Sequence, residues 1–351
     1  MNTPLLRPPL LRAGDTVAVV SPSFGAPGHF PHRLERGVTY LEALGLRVRV
    51  SAAARGVLPD RPWLSATAQE RADDLHRAFA DPEVTAIIAS IGGDHSSQLL
   101  PLLDMDLIRA NPTILLGLSD VSVLTVAIHA ATGLVTFNGP AVCDSLGEFP
   151  SVPALTSEFL QRVICVAEPI GDLRPADEWT DEFLDWQQQI DLTRAREQQP
   201  GTGWVWLQSS EGGVVRGPLL GGCLESLEHL RGTRWWPEWR GRIAFLETSE
   251  ERPGPDRIDS ILSDWANMGV LDEIAGLLWA RPYGYSPQEI DLLHAVLREH
   301  CAPYGFPVVS LLDFGHTDPK LTLPNGVLAE IDCDARAVRI VEAAVSARTR
   351  Q

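Results

Sequence analysis

The chain has 351 residues and carries 46 acidic against 29 basic side chains, a formal net charge of −17. A surface of that sign repels phosphate backbones and argues against nucleic acid as a partner. With 44% hydrophobic and 21% charged residues, it reads as a globular protein long enough for two domains, whose core needs neither metal nor disulfide.

The N-terminal stretch MNTPLLRPPLLRAGD lacks a basic region followed by a long apolar core, so no signal peptide is expected. No apolar run approaches the roughly 20 residues of a membrane span, and the cytoplasm is the expected compartment. TVAVVSPS (16–23) reads as a buried strand, PHRLERGVTYLEALG (31–45) as an amphipathic helix and RVRVSA (47–52) as a second strand. SATAQERADDLHRAFADP (65–82) reads as a helix with Ser65 as its N-cap, and VTAIIASIGG (84–93) as a strand running into a glycine turn. SSQLLPLLDMDLI is expected to be a helix, PTILLGLSD (112–120) a strand, SVLTVAIHAATG (122–133) a helix and VTFNGP a strand. Alternation of this kind implies a parallel sheet with crossover helices, so residues 1–145 read as one α/β domain.

Residues 146–215 read as a connecting region. It holds a helix within SLGEFPSVPALTSEFLQRVI, the acidic, tryptophan-bearing segment ADEWTDEFLDWQQQ and the polar loop REQQPGTG. A second α/β block spans 216–351. GPLLGGCLESLEHLRGT reads as a glycine turn and a helix, RIAFLET (242–248) as a strand and GPDRIDSILSDWANMGVLDEIAG as a helix pair. LLWARP and PVVSLLDFGH (307–316) read as strands around the helix SPQEIDLLHAVLREHCA, and VLAEIDCDARAVRIVE as a terminal hairpin.

Ligands of open α/β sheets gather beyond the carboxyl ends of the strands. Ser119, Glu247 and His316 each stand at such an exit, as do Asp94 and His95. Serine, histidine and carboxylate are the parts of a nucleophilic triad. The hydroxyl needs a base, imidazole suits that task at neutral pH, and the carboxylate orients the imidazole. Ser119 also reads as a helix cap, which is compatible with catalysis because a helix N-terminus offers N–H groups to an oxyanion. By composition, Glu250 and Glu251 are as available as Glu247.

Gly92 and Gly93, followed by Asp94, would let backbone approach a ligand, yet the turn is not GxGxxG and no GKS or GKT occurs. Trp179 and Trp186 could stack on a flat ligand or anchor their segment. The histidines are scattered without HExxH, and the five cysteines form no CxxC pair, so neither a metal nor another cofactor is expected. Lys320 is the only lysine, which leaves it as the one candidate for lysine chemistry.

Taken together, AGDTVAVVSPS, IASIGGDHSSQLL, ILLGLSDVSVL, GPLLGGCLESLEHLRGT, IAFLETSE and DFGHTDPKLTLPNG resemble the LD-carboxypeptidase family of serine peptidases, in the family's order over residues 10–333. The resemblance implies a Ser119–Glu247–His316 triad and an oxyanion hole of backbone N–H groups near Gly93 and Asp120. It implies an N-terminal three-layer parallel-sheet domain with the serine and a smaller C-terminal α/β domain with the glutamate and histidine, the active site lying in the cleft between them. A cytoplasmic homodimer without metal is implied as well. GGDHS and EWTDEFLDW resemble the family's microcin-immunity branch, which cuts the amide joining an aminoacyl group to a modified nucleotide. In that branch a tryptophan of the excursion stacks on the nucleobase, with Trp186 favoured over Trp179. The alternatives are a muropeptide L,D-carboxypeptidase of cell-wall recycling and, in another class, a catalytically inactive small-ligand-binding protein.

Overall fold

The structure is a computed structural model describing residues 4–210 and 213–348. Its first sheet is built from β1 (Thr16–Val20), β2 (Arg47–Val50), β3 (Val84–Ala89), β4 (Ile114–Gly117) and β5 (Phe137–Asn138). These five pair in parallel in the order β5-β4-β3-β1-β2. Side chains of β1 alternate between two cores. Val17 and Val19 pack with Leu34 and Leu41 of the helix Pro31–Ala43. Ala18 and Val20 pack with Leu75 and Phe79 of the helix Ala68–Ala80. Helices therefore cover both faces, which is why the central strands are apolar throughout rather than alternating.

The excursion contributes β6 (Gly171–Asp172), the short antiparallel pair β7 (Glu178–Trp179) and β8 (Gln199–Pro200), and β9 (Val205–Gln208). The second sheet joins β6 and β9 to β10 (Val214–Cys223), β11 (Ile243–Glu247), β12 (Gly276–Ala280), β13 (Val308–Leu312), β15 (Leu328–Asp332) and β16 (Ala337–Ile340), in the order β6-β16-β15-β10-β11-β12-β13-β9. Its centre, β10 to β13, is parallel, and its margins are antiparallel. The remaining strand, β14 (Leu323–Pro324), pairs antiparallel with β5, so the C-terminal part of the chain completes the first sheet.

Four expectations are corrected. The helix at 68–80 is capped by Thr67, which forms a capping box with Glu70, while the Ser65 hydroxyl bonds Ser21 O instead. SSQLLPLLDMDLI is not one helix. It is a 3₁₀ turn over Ser96–Leu102 and then the helix Met105–Ala110, because Pro101 offers no N–H and Asp104 caps anew. GPLLGG is not a turn but part of β10. A Cβ at Gly221 would lie 1.7 Å from Phe245 O, so only glycine lets the two strands approach there. Of VTFNGP, only Phe137–Asn138 pairs as strand.

Candidate active site

The turn between β4 and the helix Val121–Thr132 is sharp. Ser119 lies in it with φ 61, a left-handed conformation that costs a non-glycine residue on the order of 1–3 kcal/mol. It is not the helix cap; Asp120 holds that place. Crowding at this turn is relieved from the neighbouring strand, since a Cβ at Gly92 would sit 2.6 Å from Ser119 Cβ. The Asp120 carboxylate is fully buried and accepts N–H from His95 and Ser96, each at 2.8 Å. It therefore ties the glycine turn after β3 to the serine turn after β4. The backbone N–H groups of Gly93 and Asp120 donate to no backbone acceptor among the described residues. Asp94 turns away, with its exposed carboxylate 3.0 Å from His229.

The histidine–glutamate pair comes from the second sheet. Glu247 ends β11 and is wholly buried, with Oε2 2.6 Å from His316 Nδ1. His316 lies in the loop after β13, and Gly315 before it has φ 88. A Cβ at Gly315 would sit 2.7 Å from Glu247 Cβ, so glycine is what permits this closeness. The other imidazole nitrogen, Nε2, meets Glu250 Oε2 at 2.9 Å. Both ring nitrogens thus lie beside a carboxylate, surroundings that favour the imidazolium. Burial opposes that charge, yet Glu247 and Glu250 outweigh it and hold the His316 pKa well above its ordinary value. Partial loss of water at the cavity mouth works against the charged Glu250, but the neighbouring His316 pulls its pKa down to about 2.

Ser119 and His316 line one cavity of about 300 Å³, together with Gly92, Gly93, Glu250 and Tyr283. Within it Nε2 meets Glu250, and no hydrogen bond between His316 and Ser119 is present among the described residues. The cavity has an aromatic wall of Phe24, Phe30, Phe183 and Trp186. Trp186 is fixed edge-on to Phe30 at 5.4 Å and by the Arg33 guanidinium 4.4 Å from its ring centre. Trp179 lies outside the cavity lining, with Arg281 4.4 Å from its ring centre. It holds the base of the excursion, where Thr180 and Asp318 exchange backbone hydrogen bonds of 2.7 and 2.9 Å.

A buried ionic network backs the cavity. Arg33 pairs with Asp191 at 3.1 Å, Arg196 with Asp318 at 2.6 Å and with Glu148 at 3.0 Å, and Lys320 with Asp144 at 2.6 Å. Burial disfavours a charged Lys320, but Asp144 and Asp318 outweigh it and raise its pKa. Lys320 is therefore a held cation rather than a nucleophile.

Family models for the LD-carboxypeptidase N-terminal domain and C-terminal domain match residues 17–139 and 216–331. The chain belongs to the LD-carboxypeptidase family. As a family member it is a serine-type carboxypeptidase or amidohydrolase of mixed α/β fold. It is 32% identical to the microcin C7 self-immunity protein of Escherichia coli, over 97% of this chain and 96% of that protein. It is 30% identical to a probable murein peptide carboxypeptidase of Bacillus subtilis, over 97% of this chain and 95% of that one. The structure of the microcin C7 self-immunity protein in complex with aspartyl sulfamoyl adenosine superposes with a TM-score of 0.86 at 31% identity, covering 97% of this chain and 100% of that one.

Three site features are not singled out by sequence. Glu250 is one acid among several in ETSEE, and nothing in the segment tells which ring nitrogen it meets. Gly315 is visible only as the middle of FGH. The network of Arg33, Asp144, Asp191 and Arg196 joins residues more than 100 positions apart and leaves no local pattern.

Proposed function

We propose that this LD-carboxypeptidase family member hydrolyses an amide bond in a small peptide or aminoacyl-nucleotide conjugate, the latter favoured, through an acyl-enzyme on Ser119. The observation that carries the reading is the strained Ser119 turn facing the same cavity as the His316–Glu247 pair. In the reaction, His316 first gives up its Nε2 proton to water as Glu250 moves off; Ser119 Oγ then attacks the carbonyl carbon and passes its proton to the neutral Nε2. The Gly93 and Asp120 N–H groups hold the oxyanion. His316, oriented by Glu247, then gives the proton to the leaving amine, and water hydrolyses the ester by the same route in reverse.

The aromatic wall around Trp186 supports a flat nucleobase beside the scissile bond. So does the relative's complex with aspartyl sulfamoyl adenosine. Similarity to a murein peptide carboxypeptidase supports the second reading, an L,D-carboxypeptidase that releases terminal D-alanine from muropeptides. The division into a serine-bearing part (1–145), a tryptophan-bearing connection (146–215) and a part with the glutamate and histidine (216–351) belongs to this proposal. Cytoplasmic location and a homodimer belong to it too, as the family resemblance implies.

A panel of aminoacyl-sulfamoyl adenosines and tetrapeptide muropeptides, followed by chromatography, tests the reading. Release of the free amino acid from the adenylates at a kcat/KM at least about tenfold above that for muropeptides is the expected result. The reverse order assigns the enzyme to wall recycling. Turnover of neither, with tight binding of one, returns the protein to the class of ligand binders.

A further inference from the structure

Four carboxylates line the cavity, and three of them have cationic partners. Asp144 meets Lys320 Nζ at 2.6 Å, Asp318 meets Arg196 at 2.6 Å, and Glu182 meets Arg194 Nη1 at 2.9 Å. Glu250 differs. Among the described residues it meets no arginine or lysine, and its contact is with His316 Nε2 at 2.9 Å. Its side chain is 64% exposed, while that of His316 is 10% exposed, so the carboxylate stands at the mouth with the imidazole beneath it.

The backbone around Glu250 is pinned on both sides. Before it, Ser249 donates to the Glu225 carboxylate through its N–H (2.9 Å) and its hydroxyl (2.8 Å). After it, Arg252 grips Glu289 at 2.7 Å. The exposed side chain is therefore the movable part, and a change of rotamer takes it off Nε2 without moving the loop. A carboxylate leaving a cationic imidazole exchanges that partner for water or for another cation, and a cation held at the mouth favours the exchange. A neutral or anionic ligand offers none.

We propose that Glu250 determines specificity: it covers His316 Nε2 in the free enzyme and is drawn off by an ammonium or guanidinium group on the acyl part of the substrate, whereupon the imidazolium, without its outer counter-ion, releases the Nε2 proton to water and the neutral imidazole serves Ser119. Recognition of the positively charged acyl group and release of the base are then one event. The inference rests on the serine-amidohydrolase reading and names the class of acyl group that site takes.

The test uses three fluorophosphonates of equal length, ending in an amine, a methyl or a carboxylate. The second-order rate of Ser119 modification is read by intact-protein mass spectrometry on wild type, E250Q and E250K. In wild type the amine probe should react about tenfold faster than the carboxylate probe. E250Q should bring the three within about threefold and speed the methyl probe, and E250K should reverse the order. A charge order unchanged in E250Q and E250K overturns the inference and leaves the serine reading standing. Failure of every probe to modify wild-type Ser119 overturns the serine reading and the inference with it.

Discussion

The two sides of the cavity are built differently. On the first sheet, Ser119 is fixed by its own backbone: a left-handed turn between a buried strand and a buried helix, with Gly92 packed against it from the turn after β3 and the adjacent Asp120 carboxylate tying the two turns together. On the second sheet, His316 is fixed by what it touches, one buried carboxylate at Nδ1 and one exposed carboxylate at Nε2. The serine side is rigid by construction, and the histidine side can exchange a partner. The difference teaches where adjustment is possible. On the proposed mechanism the nucleophile stays put, while the base becomes available when its outer partner leaves.

Removing the fixed nucleophile is the largest change. Ser119→Ala should lower kcat by about 10⁴-fold or more on the true substrate. It should also relieve no fold contact, so its melting temperature by circular dichroism should match wild type. Retention of more than about a tenth of the activity would assign the chemistry elsewhere.

The glycines that let each side close come next. Gly92→Ala puts a methyl 2.6 Å from Ser119 Cβ, and Gly315→Ala puts one 2.7 Å from Glu247 Cβ at φ 88. Each should cost about a hundredfold in kcat, the scale of a misplacement near 1 Å. The two should differ in one respect. Gly315→Ala separates the imidazole from Glu247 and should move the pH profile, whereas Gly92→Ala should scale it without moving it. Identical profiles in both variants would erase the contrast between the sides.

The same contrast explains what the sequence makes legible. Ser119, Glu247 and His316 can be read as polar residues ending apolar runs, because a strand exit is a local pattern. The parallel sheet follows from alternation of strands and helices. The two tryptophans of the excursion look alike in sequence, both set among acidic and polar residues, and only long-range pairing separates them. Arg33 and Asp191 turn Trp186 into the cavity wall, while Arg281 takes Trp179 to the base of the excursion. Glu250 is hidden for the same reason. Which nitrogen of which histidine it meets depends on loops after β11 and β13 that lie 66 positions apart in the chain and meet only in the fold.

The smallest effect isolates the exchangeable partner. A general base must be neutral to accept the Ser119 proton, so kcat/KM falls as pH drops through the His316 pKa of the free enzyme. Burial alone would place that limb low, but Glu247 and Glu250 raise the pKa, so the limb should lie above the ordinary histidine value of about 6.5. The charged groups around the ring are these two carboxylates, with Lys320 acting on Glu250 from behind. Glu250→Gln removes one anion and keeps Glu247, and should move the limb of kcat/KM to lower pH. The profile of kcat reports the complex, where a bound cation has already drawn Glu250 away. In wild type its limb should therefore lie below that of kcat/KM, and in Glu250→Gln the two limbs should coincide. Limbs that coincide already in wild type would mean that Glu250 stays on the imidazole through catalysis, and that the histidine side is as fixed as the serine side.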